Sequence, residues 1–257
     1  MVDDFATRGW ARFPAEDGTR VWAAIAKRQA TVAAADPAHA HMLVCEGTWF
    51  VGLDVLGNGL DGSLGEVPLA GGAVEATRSQ FGWPPLHPGQ VSITYPGYPR
   101  PRDGETEAGF RYRLKRDAAH VDGVLGEGSP KRRFVREPHA FIFGIGLTDA
   151  KPDAAPLVVW NGSHGIMRDA FRQAFDGLSA EEMPDHDVTA IYRAARSKCF
   201  ETCQRIALPL QVGQAVLLHP MLLHGVAPWD EQAADHERMV AYFRPPHPQG
   251  ITGWLSA

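Results

Sequence analysis

The segment His120-Val121-Asp122-Gly123 sets an imidazole and a carboxylate two positions apart. In an extended chain residues i and i+2 project to the same face, so His120 and Asp122 can chelate one ion. A third ligand from elsewhere in the chain would complete a two-histidine, one-carboxylate facial set. That set suits Fe(II) and leaves coordination positions open for a co-substrate and O₂. Two histidines compete for the third place. His224 ends an apolar, β-like run and is followed by Gly225, whereas His219 sits earlier in the same run. The glycine favours His224, because it suits a strand end that faces a cavity.

An iron centre of this kind needs electrons, and oxidative decarboxylation of a metal-bound 2-oxo acid supplies two. The distal carboxylate of such an acid calls for a cation with two-pronged geometry, which arginine provides. Arg238 opens the run Arg-Met-Val-Ala-Tyr-Phe, fourteen residues beyond His224, and a turn through 229–237 would return it to the metal. Arg244, at the far end of that run, is the alternative. A plain salt bridge of Arg238 with Asp235 or Glu237 is the competing structural reading.

The elements that must hold these residues are mostly short strands. Residues 90–95, 139–148, 156–160, 205–212, 214–219 and 238–245 are apolar and rich in β-branched or aromatic types. Residues 48–55 add another such run, and the alternation over 109–116 predicts a half-exposed strand. Helical periodicity marks 17–35, 166–178 and 187–197, with Ser179 and Glu182 as a capping box for a further short helix. Between 57 and 104 glycine and proline are dense, which predicts loops with short strands between them. The sum is a mainly β (α+β) chain with flanking and inserted helices, built as an antiparallel sandwich or barrel. The expected organisation is a single domain over 1–257. Its helical and loop-rich region 1–89 packs on a β core spanning 90–245.

Composition narrows the function. The chain has 257 residues, 44% hydrophobic and 21% charged, with a net charge of −5. Nothing global favours nucleic acid or a membrane as partner. Three cysteines, Cys45, Cys199 and Cys203, are too few and too odd in number for a disulfide framework. With no signal-like N-terminus, they point to the cytoplasm. Glycine-rich phosphate loops, a Gly-x-Ser-x-Gly elbow and a His-Glu-x-x-His helix are all absent from the sequence.

Four elements occur in order: His-Val-Asp-Gly at 120–123, Asn-Gly-Ser-His at 161–164, the run ending in His224-Gly225, and the strand opened by Arg238. Together they resemble the phytanoyl-CoA dioxygenase-like family of Fe(II)/2-oxoglutarate-dependent oxygenases, over about residues 90–245. The resemblance implies a double-stranded β-helix, a jelly-roll or cupin-like core with the iron at its mouth. It implies His120, Asp122 and His224 as iron ligands, with Arg238 on the 2-oxoglutarate C5 carboxylate. Fe(II) is then the cofactor, 2-oxoglutarate and O₂ the co-substrates, and succinate and CO₂ the by-products. The expected reaction is hydroxylation of a small organic molecule, since a carboxylate ligand fills the site that halide takes in related halogenases. The chain departs from the family at Val226, where a serine hydroxyl usually assists the arginine.

Two further points stay open in the sequence. Ten Lys/Arg lie between 100 and 136, around His-Val-Asp-Gly, in a chain that is acidic as a whole. They fit either a solvated surface or recognition of an anionic substrate, with Arg132 and Arg133 the residues to test. The rival functions are a cupin-type metal enzyme that uses no 2-oxo acid and a catalytically idle binding protein on the same fold.

Overall fold

The structure, a computed structural model, describes residues 2–233 and 236–257. In chain order the elements are α1 (Val2–Arg8), β1 (Trp10–Phe13), α2 (Asp17–Ala35), β2 (Leu43–Val44), β3 (Trp49–Gly52), α3 (Gly72–Phe81), β4 (Gln90–Thr94), α4 (Glu107–Lys115), β5 (Val124–Glu127), β6 (Arg132–Val135), β7 (Ile142–Gly146), β8 (Leu157–Trp160), α5 (Ser163–Ala174), α6 (Thr189–Thr202), β9 (Arg205–Leu208), β10 (Ala215–Leu218), β11 (His224–Val226), β12 (Arg238–Phe243) and α7 (Gly250–Ser256). Short 3₁₀ turns cover Pro37–Met42 and Met183–Asp185.

A seven-stranded antiparallel sheet runs β1-β10-β7-β12-β4-β3-β2, and a three-stranded sheet runs β11-β8-β9. β5 and β6 form a separate hairpin. Strand parity shows how the two sheets face each other. From the large sheet Ile142, Val216, Leu218, Val240 and Tyr242 pack with Leu157, Val159 and Leu208 of the small one. The residues between them point the other way. Phe50, Ile93, Phe143, Ala241 and Phe243 join Trp22, Ala26 and Val74 of α2 and α3 on the outside of the large sheet. On the outside of the small sheet, Val158 and Trp160 pack with Met167, Phe171, Tyr192 and Trp254 of α5–α7. The result is the expected double-stranded β-helix, a mainly β core sheathed by helices on both faces. Three of the seven strands of the large sheet, β1 to β3, come from before residue 90.

Two sequence readings change. The expected strand over 109–116 is the helix α4. Thr106 caps it by accepting from the Gly109 amide at 3.1 Å, and Glu107 pairs with Arg111 one turn on at 2.6 Å. No β-branched residue lies in the segment, and its supposed apolar face is not buried, for Leu114 is 42% exposed. The stretch 57–104 also contains a helix, α3. Its run of Ala, Glu, Arg and Gln favours helix despite the bracketing glycines.

Candidate functional site

Between a turn at 116–118 and another at 122–123, the chain around His120 lies antiparallel beside β11. His120 and His224 exchange backbone hydrogen bonds, His120 N to His224 O at 2.9 Å and His224 N to His120 O at 3.0 Å. Two glycines make this approach possible. A side chain on Gly225 would collide with the carbonyl of Asp117, and one on Gly123, whose φ is 77°, with the carbonyl of Glu137. Parity then turns His120, Asp122 and His224 to a common point, where one ligand atom from each lies within 4.8 Å of the others.

The hydrogen bonds around the imidazoles define their tautomers. His120 Nδ1 lies 2.9 Å from the Ala118 carbonyl and His224 Nδ1 lies 2.9 Å from the Leu222 carbonyl. A carbonyl only accepts, so each Nδ1 carries the proton and each Nε2 of a neutral ring presents a lone pair. Those lone pairs face Asp122, with His120 Nε2 at 3.0 Å from Oδ1 and His224 Nε2 at 3.6 Å from Oδ2. Two lone pairs aimed at a buried carboxylate repel it unless a cation sits among them. An octahedral ion with bonds of about 2.1 Å spaces facial donors roughly 3 Å apart, so the set fits a divalent metal.

Burial alone would drive the Asp122 carboxyl toward protonation. The guanidinium of Arg244, whose Nε lies 3.4 Å from Oδ2, together with His224 and His120, outweighs it and holds the acid well below the usual carboxylate range. Arg244 therefore stands against the carboxylate of the triad. It also donates to Gln90 Oε1.

His219 is placed elsewhere. Its ring lies against His164, tilted by 41° with centroids 4.7 Å apart, and its Nδ1 accepts from the Met221 amide at 3.1 Å. His164 pins α1 through the Ala6 carbonyl, and Ser163 Oγ accepts from the Leu223 amide, so the Asn-Gly-Ser-His turn braces the run that leads into His224.

Arg238 is 2% exposed and lies on the inner face of β12, with Tyr242 four residues further along on the same face. Its Nη2 donates to the Tyr242 hydroxyl at 3.5 Å, while Nη1 is buried without a partner. Thr94, its cross-strand partner, has a buried Oγ1 that is also unpartnered. A buried guanidinium and hydroxyl with open hydrogen-bonding capacity, side by side, fit an anion. Of the two expected salt-bridge partners of Arg238, Asp235 lies outside the described residues, and no ion pair of Arg238 occurs among the described residues. Sequence reasoning missed Thr94, whose signal is the register of β4 against β12, a non-local property.

Two cavities meet at the triad, both bordered by Trp49, Ala118, His120, Asp122 and Arg244. The inner one, about 220 Å³, runs into the barrel between Ser92, Tyr98, Ile142, Leu157 and Tyr242. The outer one, about 690 Å³, opens between α4, α6 and the β5–β6 hairpin.

The model of the phytanoyl-CoA dioxygenase (PhyH) family matches residues 106–228, a span that contains His120, Asp122 and His224. Over those residues, just under half of the chain, it is similar to the phytanoyl-CoA dioxygenase family. The matched family is one of Fe(II)/2-oxoglutarate-dependent oxygenases, with Fe(II) and 2-oxoglutarate as its cofactor and co-substrate. Among solved structures the chain is similar to AviO1 from Streptomyces viridochromogenes Tue57, at 16% identity and TM-score 0.48, covering 96% of each chain. It is also similar to the non-heme alpha-ketoglutarate-dependent carbocyclase SnoK from nogalamycin biosynthesis, at 15% identity and TM-score 0.47, covering 99% of this chain and 88% of that one. A third is EctD from S. alaskensis with bound Fe, at 16% identity and TM-score 0.47, covering 97% and 79%. No curated protein matches the chain in sequence. Among the described residues no helix is long and apolar enough to cross a membrane.

Proposed function

We propose that this protein is a hydroxylase of the phytanoyl-CoA dioxygenase-like family: it binds Fe(II) through His120, Asp122 and His224, anchors 2-oxoglutarate at Arg238, and oxidises a small organic substrate with release of succinate and CO₂. The observation that carries the reading is the convergence of the two imidazole Nε2 atoms on the buried Asp122 carboxylate, at 3.0 and 3.6 Å. When bound, the metal and oxo acid supply the two-electron activation of O₂. The protein's own part is positioning and charge. The Ala118 and Leu222 carbonyls fix both imidazoles with Nε2 inward, and Arg244 keeps Asp122 ionised. Arg238 and Thr94 are suited to the distal carboxylate of 2-oxoglutarate, with the Thr94 hydroxyl in the part that Val226 cannot play. The apolar walls of the inner cavity exclude water from the reacting end. Asp122 as third ligand favours hydroxyl over halide transfer.

The acting unit is taken as residues 1–257 in one domain, because strands from before residue 90 complete the sheet that carries Arg238. With its three cysteines free, the enzyme is assigned to the cytoplasm. Anaerobic addition of Fe(II) and 2-oxoglutarate to the purified chain should produce a charge-transfer band at about 500 nm, the sign of an oxo acid chelated to iron. The band should be absent in His224→Ala. A metal-binding chain without the band would favour a cupin-type enzyme independent of 2-oxo acids, and a chain that binds neither would be an idle binding protein.

A further inference from the structure

The outer cavity carries an excess of positive charge that neither the metal nor the oxo acid accounts for. Six cationic side chains border it, Arg102, Arg113, Lys131, Arg133, Arg196 and Arg244, against three acids, Glu105, Asp122 and Glu137. Two of the acids are already engaged. Glu105 is clamped by Arg113, with bonds of 2.7 and 2.6 Å, and Asp122 is a triad residue beside Arg244. That leaves Arg102, Lys131, Arg133 and Arg196 facing Glu137, in a chain whose overall charge is −5.

None of these four forms an ion pair among the described residues. Three are nevertheless held in place by other means. Arg102 lies over the Trp49 ring at 5.1 Å. Arg133 donates to the Val124 carbonyl at 3.2 Å, and its amide donates to Thr189 Oγ1 at 2.7 Å. Arg196 lies over the rings of both Tyr112 and Tyr192, at 4.7 and 5.2 Å. Guanidinium groups braced on aromatic faces and carbonyls keep free N–H donors and lose little entropy on meeting a planar anion. By contrast, three other arginines of the basic segment are engaged by acids. Arg136 pairs with Glu127 and Asp185, Arg111 with Glu107, and Arg132 lies 3.7 Å from Asp187, outside the cavity wall.

We propose that the outer cavity is the prime-substrate site and that its substrate is a small organic anion, bearing a carboxylate or phosphate that Arg133 and Arg196 hold while its apolar part reaches His120. The inference rests on the oxygenase reading for what happens at the metal, though not for the anion site itself. The volume of about 690 Å³ fits a small molecule rather than a polymer. Concave low-dielectric walls strengthen the field of unpaired cations, so recognition should weaken with salt.

The test is calorimetric binding of octanoate, octyl phosphate and octanol to the full chain. Both anions should bind saturably and at least tenfold more tightly than octanol, and the tighter of them tells carboxylate from phosphate. Replacing both residues, Arg133→Gln with Arg196→Gln, should weaken anion binding at least tenfold and leave octanol unchanged. The lysine pair, Arg133→Lys with Arg196→Lys, should recover part of the loss, and Arg132→Gln should bind as wild type. Equal affinity for octanol, no saturable anion binding, or a glutamine pair that binds anions like wild type would each overturn the proposal. The iron–oxo-acid band is recorded on the same proteins. If it persists in the glutamine pair, the metal site is intact there. A wild-type chain that prefers anions yet gives no band overturns the oxygenase reading and leaves the anion site standing.

Discussion

The carbonyl of Asp117 occupies the place that a Cβ on Gly225 would need. This contact lets the chain before His120 lie flush against β11, and it explains why a glycine follows His224. Gly225→Ala should force the two strands apart and lengthen the His120–His224 bridge. The expected result is at least a tenfold loss of Fe(II) affinity and a stability loss of about 1–3 kcal/mol, the usual cost of overpacking. Metal titration and urea unfolding of the apo protein measure the two effects separately. An unchanged Fe(II) affinity would show that the close approach does not set the site.

Arg244 gives the triad a pH signature. Its charge, with the contacts of His224 and His120, holds the buried Asp122 carboxyl well below the ordinary range, so protons compete weakly with metal. Arg244→Gln removes the largest of the lowering influences, and burial then pushes the acid upward. The carboxyl should take up a proton at higher pH, and the acid limb of Mn(II) binding should move upward with it. Titrating Mn(II) against pH for both proteins decides the matter. Coincident acid limbs would mean that Arg244 does not tune the ligand.

How much of this was legible in the sequence follows from distance along the chain. His120 and Asp122 are two residues apart and their relation needs only strand geometry. His224 could be preferred to His219 from its glycine, and Asp117 supplies the reason. Arg244 was readable as the alternative anchor for the oxo acid but not as the partner of Asp122, since that contact joins the end of β12 to a segment over a hundred residues earlier. Thr94 depends on strand register, and α4 was misread because six alternating residues fit a strand equally well. The basic segment looked uniform in sequence. Partners distant in the chain, such as Asp185 and Asp187, separate its neutralised arginines from Arg133.

The unpartnered pair Arg238 and Thr94 predicts a division of labour toward the oxo acid. Thr94→Val is nearly isosteric and removes one hydroxyl, so 2-oxoglutarate affinity should fall about tenfold, the weight of one hydrogen bond to a charged group. Arg238→Gln should cost considerably more, because it also leaves the anion without a counter-charge. Fe(II) affinity, measured without the oxo acid, should be unchanged in both. Titration of the charge-transfer band reads the first effect and metal titration the second. If Thr94→Val leaves the 2-oxoglutarate titration unaltered, the hydroxyl is not part of that site.

His219 predicts an effect on acid stability without an effect on the metal. Burial, then the neighbouring His164, lowers its pKa to about 3. An unfolded histidine binds its proton near pH 6.5, so between about 6.5 and 3 the unfolded chain holds a proton that the folded one refuses. Stability from this residue is therefore complete above pH 6.5 and is lost as pH falls toward 3. His219→Gln keeps an amide able to meet the Met221 N–H and cannot titrate. Its unfolding midpoint should fall less steeply between pH 7 and 4 than that of the wild type, while the iron–oxo-acid band at neutral pH stays as it was. Parallel midpoints would remove His219 from the acid response, and a lost band would bring it back as a rival to His224.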